Sequence, residues 1–192
     1  MKYDMILAGV GGQGVLSIAA TIALAAVSEG LRIKQAEVHG MSQRGGAVQS
    51  HLRLSDRPIF SDLVPEGQAD MILAMEPMEA LRYVSFLSPE GVIVTDSTPV
   101  INISDYPDPE ALLTAVRAFP RAHLVDATEI ARGIHNPRGS NMVLLGAASL
   151  FLPLSSQALE TAIEQMFIRK GAAVVEKNIE AFRAGRQVIQ PA

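Results

Sequence analysis

The sequence predicts an α/β fold, with one open, mostly parallel sheet flanked by helices and a helical C-terminal section, in a single domain spanning residues 1–192. Three observations carry that expectation. A short apolar run passes through a glycine-rich turn into an apolar helical segment and on to a second strand-like run. Two continuous apolar runs, ADMILAM (69–75) and GVIVTD (91–96), suit strands buried on both faces. From about Ser140 the pattern is wholly helical.

Residues 5–8 form an apolar run ending in Gly9, the mark of a buried strand. QGVLSIAATIALAAVSEG follows, rich in helix formers and apolar on most faces, with Gly30 placed as its stop. Such a helix is expected to be buried on several sides. In LRIKQAEV, Leu31 and Ile33 alternate with Arg32 and Lys34, so a parallel return to the sheet is expected. VQSHLRLS sets Val48, Ser50, Leu52 and Leu54 against Gln49, His51 and Arg53, a one-sided antiparallel strand with His51 on its polar face. EPMEALRYVSFL reads as a helix with Pro77 in its first turn and Met78, Leu81, Val84 or Phe86 toward one side. Asp108 before Pro109 opens another helix that Pro120 closes, and AHLVDA adds a short strand. SNMVLLGAASLFL offers Ser140 or Asn141 as a cap and breaks near Pro153. SSQALETAIEQMFI places Ser155 or Ser156 ahead of Glu160, an approximate capping box. The last helix carries Val175, Ile179 and Phe182 on one side and is expected to end at Gly185.

Composition narrows the function. The apolar region 15–27 is shorter than the roughly 18 residues a membrane span needs, and no secretion signal opens the chain, so a cytoplasmic protein is expected. A net charge of −4 without a Lys/Arg block argues against nucleic acid. The absence of cysteine excludes disulfides, Cys-ligated zinc and Cys-held iron–sulfur clusters within this chain. His39, His51, His123 and His135 show no metal-ligand spacing, so no metal site is expected. There is neither a G-x-S-x-G elbow nor a lysine followed by Ser or Thr, which removes a hydrolase nucleophile and a P-loop.

The chemistry-bearing signal is Gly9, Gly11 and Gly14 in G-x-G-x-x-G spacing, the fingerprint of a Rossmann-like fold. Glycines permit close backbone approach, and free N–H groups at a helix start attract an anion, so the loop suits the pyrophosphate of NAD, FAD or coenzyme A. Glu37, 23 residues after Gly14, stands where a carboxylate would hold a ribose hydroxyl. The plain alternative is a tight turn that serves packing only. A second glycine segment, EVHGMSQRGGAVQSHLR, contains His39, Ser42, Gln43, Arg44, Gly45 and Gly46 at the strand edge where open α/β sheets bind ligands. There Arg44 has three readings: bidentate partner of a phosphate or carboxylate, subunit-interface residue, or solvated side chain.

GVGGQG together with EVHGMSQRGGAVQSHLR resembles the gamma-type subunits and domains of the 2-oxoacid:ferredoxin oxidoreductases, and the HGMSQRGG form is similar to their indolepyruvate branch. The likeness continues through ADMILAMEPMEALR, NPRGSNMVLLGA and the last helix. It implies a subunit, inactive alone, of a complex that converts an aryl 2-oxoacid to an acyl-CoA and passes electrons to ferredoxin. Thiamine diphosphate, Mg and iron–sulfur clusters would reside on a larger alpha subunit, in keeping with the absence here of cysteine and of a Gly-Asp-Gly segment followed by paired Asn. The same resemblance makes Gly9, Gly11, Gly12, Gln13 and Gly14 candidates for a coenzyme A loop. It makes Glu37, His39, Ser42, Arg44, Gly45, Gly46 and Asn141 candidates for the mouth of the partner's active site, with His39 and Arg44 as catalytic candidates. Two other readings stay open at this point: a free-standing NAD- or FAD-dependent oxidoreductase, and a non-catalytic interaction subunit.

Overall fold

The computed structural model describes residues 1–39 and 46–189. Among them six strands form one sheet in the order β2-β3-β1-β4-β5-β6. The strands are β1 (Lys2–Val10), β2 (Arg32–His39), β3 (Ala47–Ser55), β4 (Ala69–Ala74), β5 (Leu87–Asp96) and β6 (Ala122–Val125). β1, β4, β5 and β6 pair in parallel, whereas β3 lies antiparallel between β1 and β2. The expected parallel return holds in direction, since β2 runs the same way as β1, but β3 separates the two strands. The continuous apolar character of β1 and β4 follows from burial on both faces, since Met5, Ile6, Leu7, Met71, Ile72 and Leu73 are essentially inaccessible. Met71 and Met75 are core filler.

Two apolar layers sandwich the sheet. One holds Met5, Leu7, Leu52, Met71 and Val94 against helices α1 (Val15–Ser28), α5 (Ser140–Ala148), α6 (Ser156–Phe167) and α7 (Ala172–Arg186). The other holds Ile6, Ala8, Ile72 and Ile93 against α2 (Pro77–Arg82) and α3 (Pro109–Arg117). Each fully buried Leu or Ile contributes about 1.5–3 kcal/mol of transfer free energy. A short helix that the sequence reading did not foresee, α4 (Ala127–Gly133), follows β6.

Local signals explain most boundaries. α1 ends in a Schellman arrangement, the Gly30 N–H donating to Val27 O at 3.0 Å and the Leu31 N–H to Ala26 O at 2.9 Å. The Asp108 carboxylate accepts the Ala111 N–H at 2.9 Å, and Ser155 Oγ accepts the Ala158 N–H at 3.1 Å, as caps of α3 and α6. Glu160 closes no capping box; it pairs with Arg183 on α7. The helix expected after Pro77 is only Pro77–Arg82, with a single 3-10 turn at Val84–Phe86 before β5.

Two further expectations are corrected, and a third gains a second cause. His51 does not face water: it is buried against Val64 and Phe86, and its Nδ1 accepts the Val64 N–H at 3.0 Å. Neither Ser140 nor Asn141 caps α5; Gly139 holds that position. Gly185 stands one residue before the end of α7, as expected, and it also lets α7 cross α5 backbone to backbone: a Cβ at Gly185 would lie 1.9 Å from Val143 O, and one at Gly146 2.0 Å from Phe182 O.

Candidate functional site

β1 delivers the glycine loop to the C-terminal edge of the sheet, and α1 departs from it. Gly9 lets the helix and β4 close on the strand, since a Cβ there would meet Val15 Cγ2 at 2.9 Å and Met75 Cβ at 3.0 Å. Gly12 and Gly14 hold φ of 103° and 86°, a left-handed backbone that other residues adopt only with strain. Gln13 braces the turn. Its Oε1 accepts the Val10 N–H at 2.6 Å, and its Nε2 donates to Met75 O at 3.0 Å. Both ends of that amide thus serve the scaffold, so the structure gives this candidate ligand residue a positioning task.

The N–H groups at the head of α1 are the chemical content of the loop. Gly11 donates to Gly46 O at 2.8 Å, and Gln13 to Val10 O at 3.1 Å. No described group accepts from the N–H of Gly12, Gly14, Val15 or Leu16. α1 has no side-chain cap and no acidic residue in its first turn to satisfy them. These amides border a cleft of about 450 Å³ whose walls include the loop glycines, Leu16, Ser17, Glu37 and Val48. The helix end contributes roughly half a positive charge there, which suits a phosphate or carboxylate.

Residues far apart in sequence converge on this cleft. Glu37 sits opposite Ser50 in the β2–β3 register and reaches the cleft wall, two strands from β1 and not on its neighbour. At about 4.8 Å per strand, the inserted β3 roughly doubles the lateral separation that a dinucleotide-binding carboxylate has in the ordinary strand order. Gly46 ties the second glycine segment to the first through Gly11. Asn141 packs on the loop from α5: a Cβ added to Gly14 would fall 2.5 Å from its Nδ2, while its Oδ1 accepts the Met142 N–H at 2.9 Å. The backbone of His39 ends β2 opposite Val48. Ser42, Arg44 and Gly45 lie outside the described residues.

Sequence reading missed a carboxylate pair beside the loop. Glu76 and Glu79, directly after the Met75 that anchors Gln13, are both buried. Glu76 caps α2 through the Glu79 N–H at 2.9 Å and accepts the Tyr106 hydroxyl. Burial raises the Glu79 carboxyl above the usual range, and the Glu76 charge adds to this, while Arg82 opposes it. The signal was present in E-P-x-E after an apolar run, an N-cap pattern with proline at N1. Asp96 is a turn residue, its carboxylate accepting the Thr98 N–H at 3.0 Å and the Thr128 hydroxyl at 2.7 Å, and burial raises its pKa. Among the described residues no cluster of three His, Asp or Glu suits a metal ion, and no helix is long and apolar enough to cross a membrane.

The family model described as pyruvate ferredoxin/flavodoxin oxidoreductase matches residues 4–188. The indolepyruvate oxidoreductase subunit IorB of Archaeoglobus fulgidus is 34% identical over 96% of this chain and 94% of its own length. The Pyrococcus horikoshii IorB is 35% identical with the same coverage. The 2-oxoglutarate synthase subunit KorC of Methanothermobacter marburgensis is 31% identical over 98% of this chain and 97% of its own. Among solved structures, the gamma subunit of keto/oxoacid ferredoxin oxidoreductase from Geobacter sulfurreducens superposes with a TM-score of 0.70 at 26% identity, over 96% of each chain. The fold also matches 2-oxoglutarate:ferredoxin oxidoreductase from Magnetococcus marinus, solved with 2-oxoglutarate, coenzyme A and succinyl-CoA bound (TM-score 0.78, 22% identity). There all of this chain corresponds to only 32% of the longer polypeptide. The chain belongs to the pyruvate ferredoxin/flavodoxin oxidoreductase family, as a gamma-type subunit.

Proposed function

We propose that this chain is the beta (gamma-type) subunit of a cytoplasmic indolepyruvate or arylpyruvate:ferredoxin oxidoreductase, acting as one unit over residues 1–192, and that its glycine loop holds coenzyme A. The observation that carries the reading is the set of open amides of Gly12, Gly14, Val15 and Leu16 at the head of an uncharged helix, bordering the cleft. A diphosphate fits that cradle. Its partners are backbone N–H groups, its charge meets the helix end, and the open side of Gly12 leaves room for close approach. A cleft of about 450 Å³ accommodates the phosphates and one adjoining group, so the rest of the carrier extends through the mouth. The names of the IorB relatives support the aryl 2-oxoacid, and the ligands of the Magnetococcus enzyme support coenzyme A.

Decarboxylation and electron transfer to ferredoxin require thiamine diphosphate, Mg and iron–sulfur clusters, which we assign to the larger alpha subunit because this chain has no cysteine. The residues of this chain bind and orient. Gly9, Gly11 and Gln13 fix the loop, and the amides of Gly12, Gly14, Val15 and Leu16 hold the phosphates. Glu37 is placed to accept a hydroxyl of the carrier. In this reading His39, Ser42, Arg44, Gly45, Gly46 and Asn141 surround the mouth where the thiol meets the partner's reaction centre, and Arg44 supplies the positive side chain that the described cleft walls lack. Orienting the thiol there converts an encounter into an intramolecular step. The test is reconstitution: the isolated chain should not oxidise indolepyruvate, and adding the alpha subunit should give coenzyme A-dependent ferredoxin reduction. Turnover by the chain alone would overturn the proposal.

A further inference from the structure

α1 departs from expectation in one respect: an uncharged helix that should be buried on several sides leaves one face open. Leu16, Leu24 and Val27 are 49%, 38% and 59% exposed, with the half-buried Ala20 and Ala23 between them. At 16, 20, 23/24 and 27 these residues follow helical spacing along one face. No charged residue occurs anywhere in Val15–Ser28. At 1.5 Å per residue the stripe runs about 16 Å. An apolar strip of that length, flanked only by the small hydroxyls of Ser17 and Ser28 (the latter turned back onto Ala25 O at 2.7 Å), marks a protein contact rather than a solvated surface.

We infer that this outward stripe of α1 is the seat of the larger subunit, the partner that brings the reaction centre to the cleft. The inference rests on the subunit reading above. Leu16 identifies the occupant, because it both walls the cleft and begins the stripe, so a body covering the cleft mouth continues directly onto Ala20, Leu24 and Val27. The relatives show that a large body belongs with this fold. This chain corresponds to 32% of the Magnetococcus polypeptide and to 35% of the ketoisovalerate oxidoreductase subunit VorA of Methanothermobacter thermautotrophicus, the remainder of each being further protein. Permanent contacts of this kind are the apolar class of interface, which an uncharged helix matches.

The test uses the full chain with the alpha subunit. Leu24→Glu combined with Val27→Glu places two charges on exposed helical positions away from the cleft, so the isolated variant should melt within about 2 °C of the parent. The dissociation constant for the alpha subunit should rise about 100-fold or more. Leu24→Met should leave it unchanged. Because the chain lacks cysteine, Val27→Cys carries a single environment-sensitive fluorophore, whose emission should shift to the blue on assembly. Wild-type affinity of the double variant, or an unchanged emission, would overturn the inference. So would a homodimer of the isolated chain that the double variant splits while the complex still forms, since a second copy would then cover the stripe. Failure of the unmodified chain to bind the alpha subunit would instead remove the subunit reading itself.

Discussion

Gly14→Ala separates backbone strain from steric contact at the head of α1. Gly14 has φ 86°, and an added Cβ would lie 2.5 Å from Asn141 Nδ2 and 3.2 Å from its Cγ. Gly12 has φ 103°, with no atom of the described residues within 4 Å of the same added carbon. Left-handed backbone costs a residue with a Cβ about 1–2 kcal/mol, and that cost applies to both positions. Alanine also narrows the unfolded ensemble, an offset of about 0.4–1 kcal/mol that is again common to both. Only at Gly14 must Asn141 swing away, giving up the hydrogen bond its Oδ1 accepts from Met142, about 0.5–1.5 kcal/mol. Gly14→Ala should therefore lose about 1 kcal/mol more than Gly12→Ala in urea denaturation. Combined with Asn141→Ala it should be less destabilising than the sum of the two single changes, by a similar amount. Equal losses at the two glycines, together with additivity at Asn141, would refute the contact between the loop and α5.

Gly185→Ala should destabilise by about 2–3 kcal/mol although alanine is the better helix former, because its Cβ would lie 1.9 Å from Val143 O; a thermal melt at or above the parent's would contradict the α5–α7 crossing. Arg53→Met strands the buried Asp4 carboxylate, which accepts from Arg53 Nε at 2.9 Å and from a terminal guanidinium nitrogen at 3.0 Å. Lys2 remains at 2.9 Å, so the loss belongs at the lower end of the range for a broken buried pair, about 3 kcal/mol, and adding Asp4→Asn should recover part of it in the same denaturation assay. Burial, followed by the Arg53 charge, lowers the His51 pKa below its usual 6.5. The unfolded chain then binds the proton first, so stability is full above about pH 6.5 and falls as pH drops toward the folded-state value; His51→Gln should flatten that part of the urea midpoint against pH.

Wherever a local rule decides a structure, the sequence was a sufficient guide. The run 5–8, the glycine spacing, the Asp108–Pro109 start and the Ser155 cap each encode their own element. Sheet order is different, because period-two alternation in β2 and β3 specifies a face but not a neighbour. Nothing in LRIKQAEV reveals that β3 takes the place beside β1, and the position of Glu37 shifts with it. His51 shows the same limit: a polar residue on the outward face of a strand reads as solvated until the segment around Val64 folds over it. Gly185 marked the end of α7 to within one residue, but the local pattern carries no sign that α5 crosses there as well. At the site, the loop and Glu37 were legible from spacing, whereas the packing of Asn141 on Gly14 and the bracing of Gln13 on Met75 are long-range contacts without a local signal.

The most direct test of the account is the affinity of coenzyme A for the assembled complex, measured by calorimetry with the parent chain and with Gly12→Val. Gly12 faces open space beside the free amides, so a side chain there meets no other described residue and intrudes on the ligand, while the strain of its left-handed backbone is controlled for by Gly12→Ala, which should lose less affinity. The predicted result is an intact complex whose coenzyme A affinity falls at least about 10-fold, worth 1.4 kcal/mol. Unchanged affinity in an intact complex would mean that coenzyme A binds away from this loop.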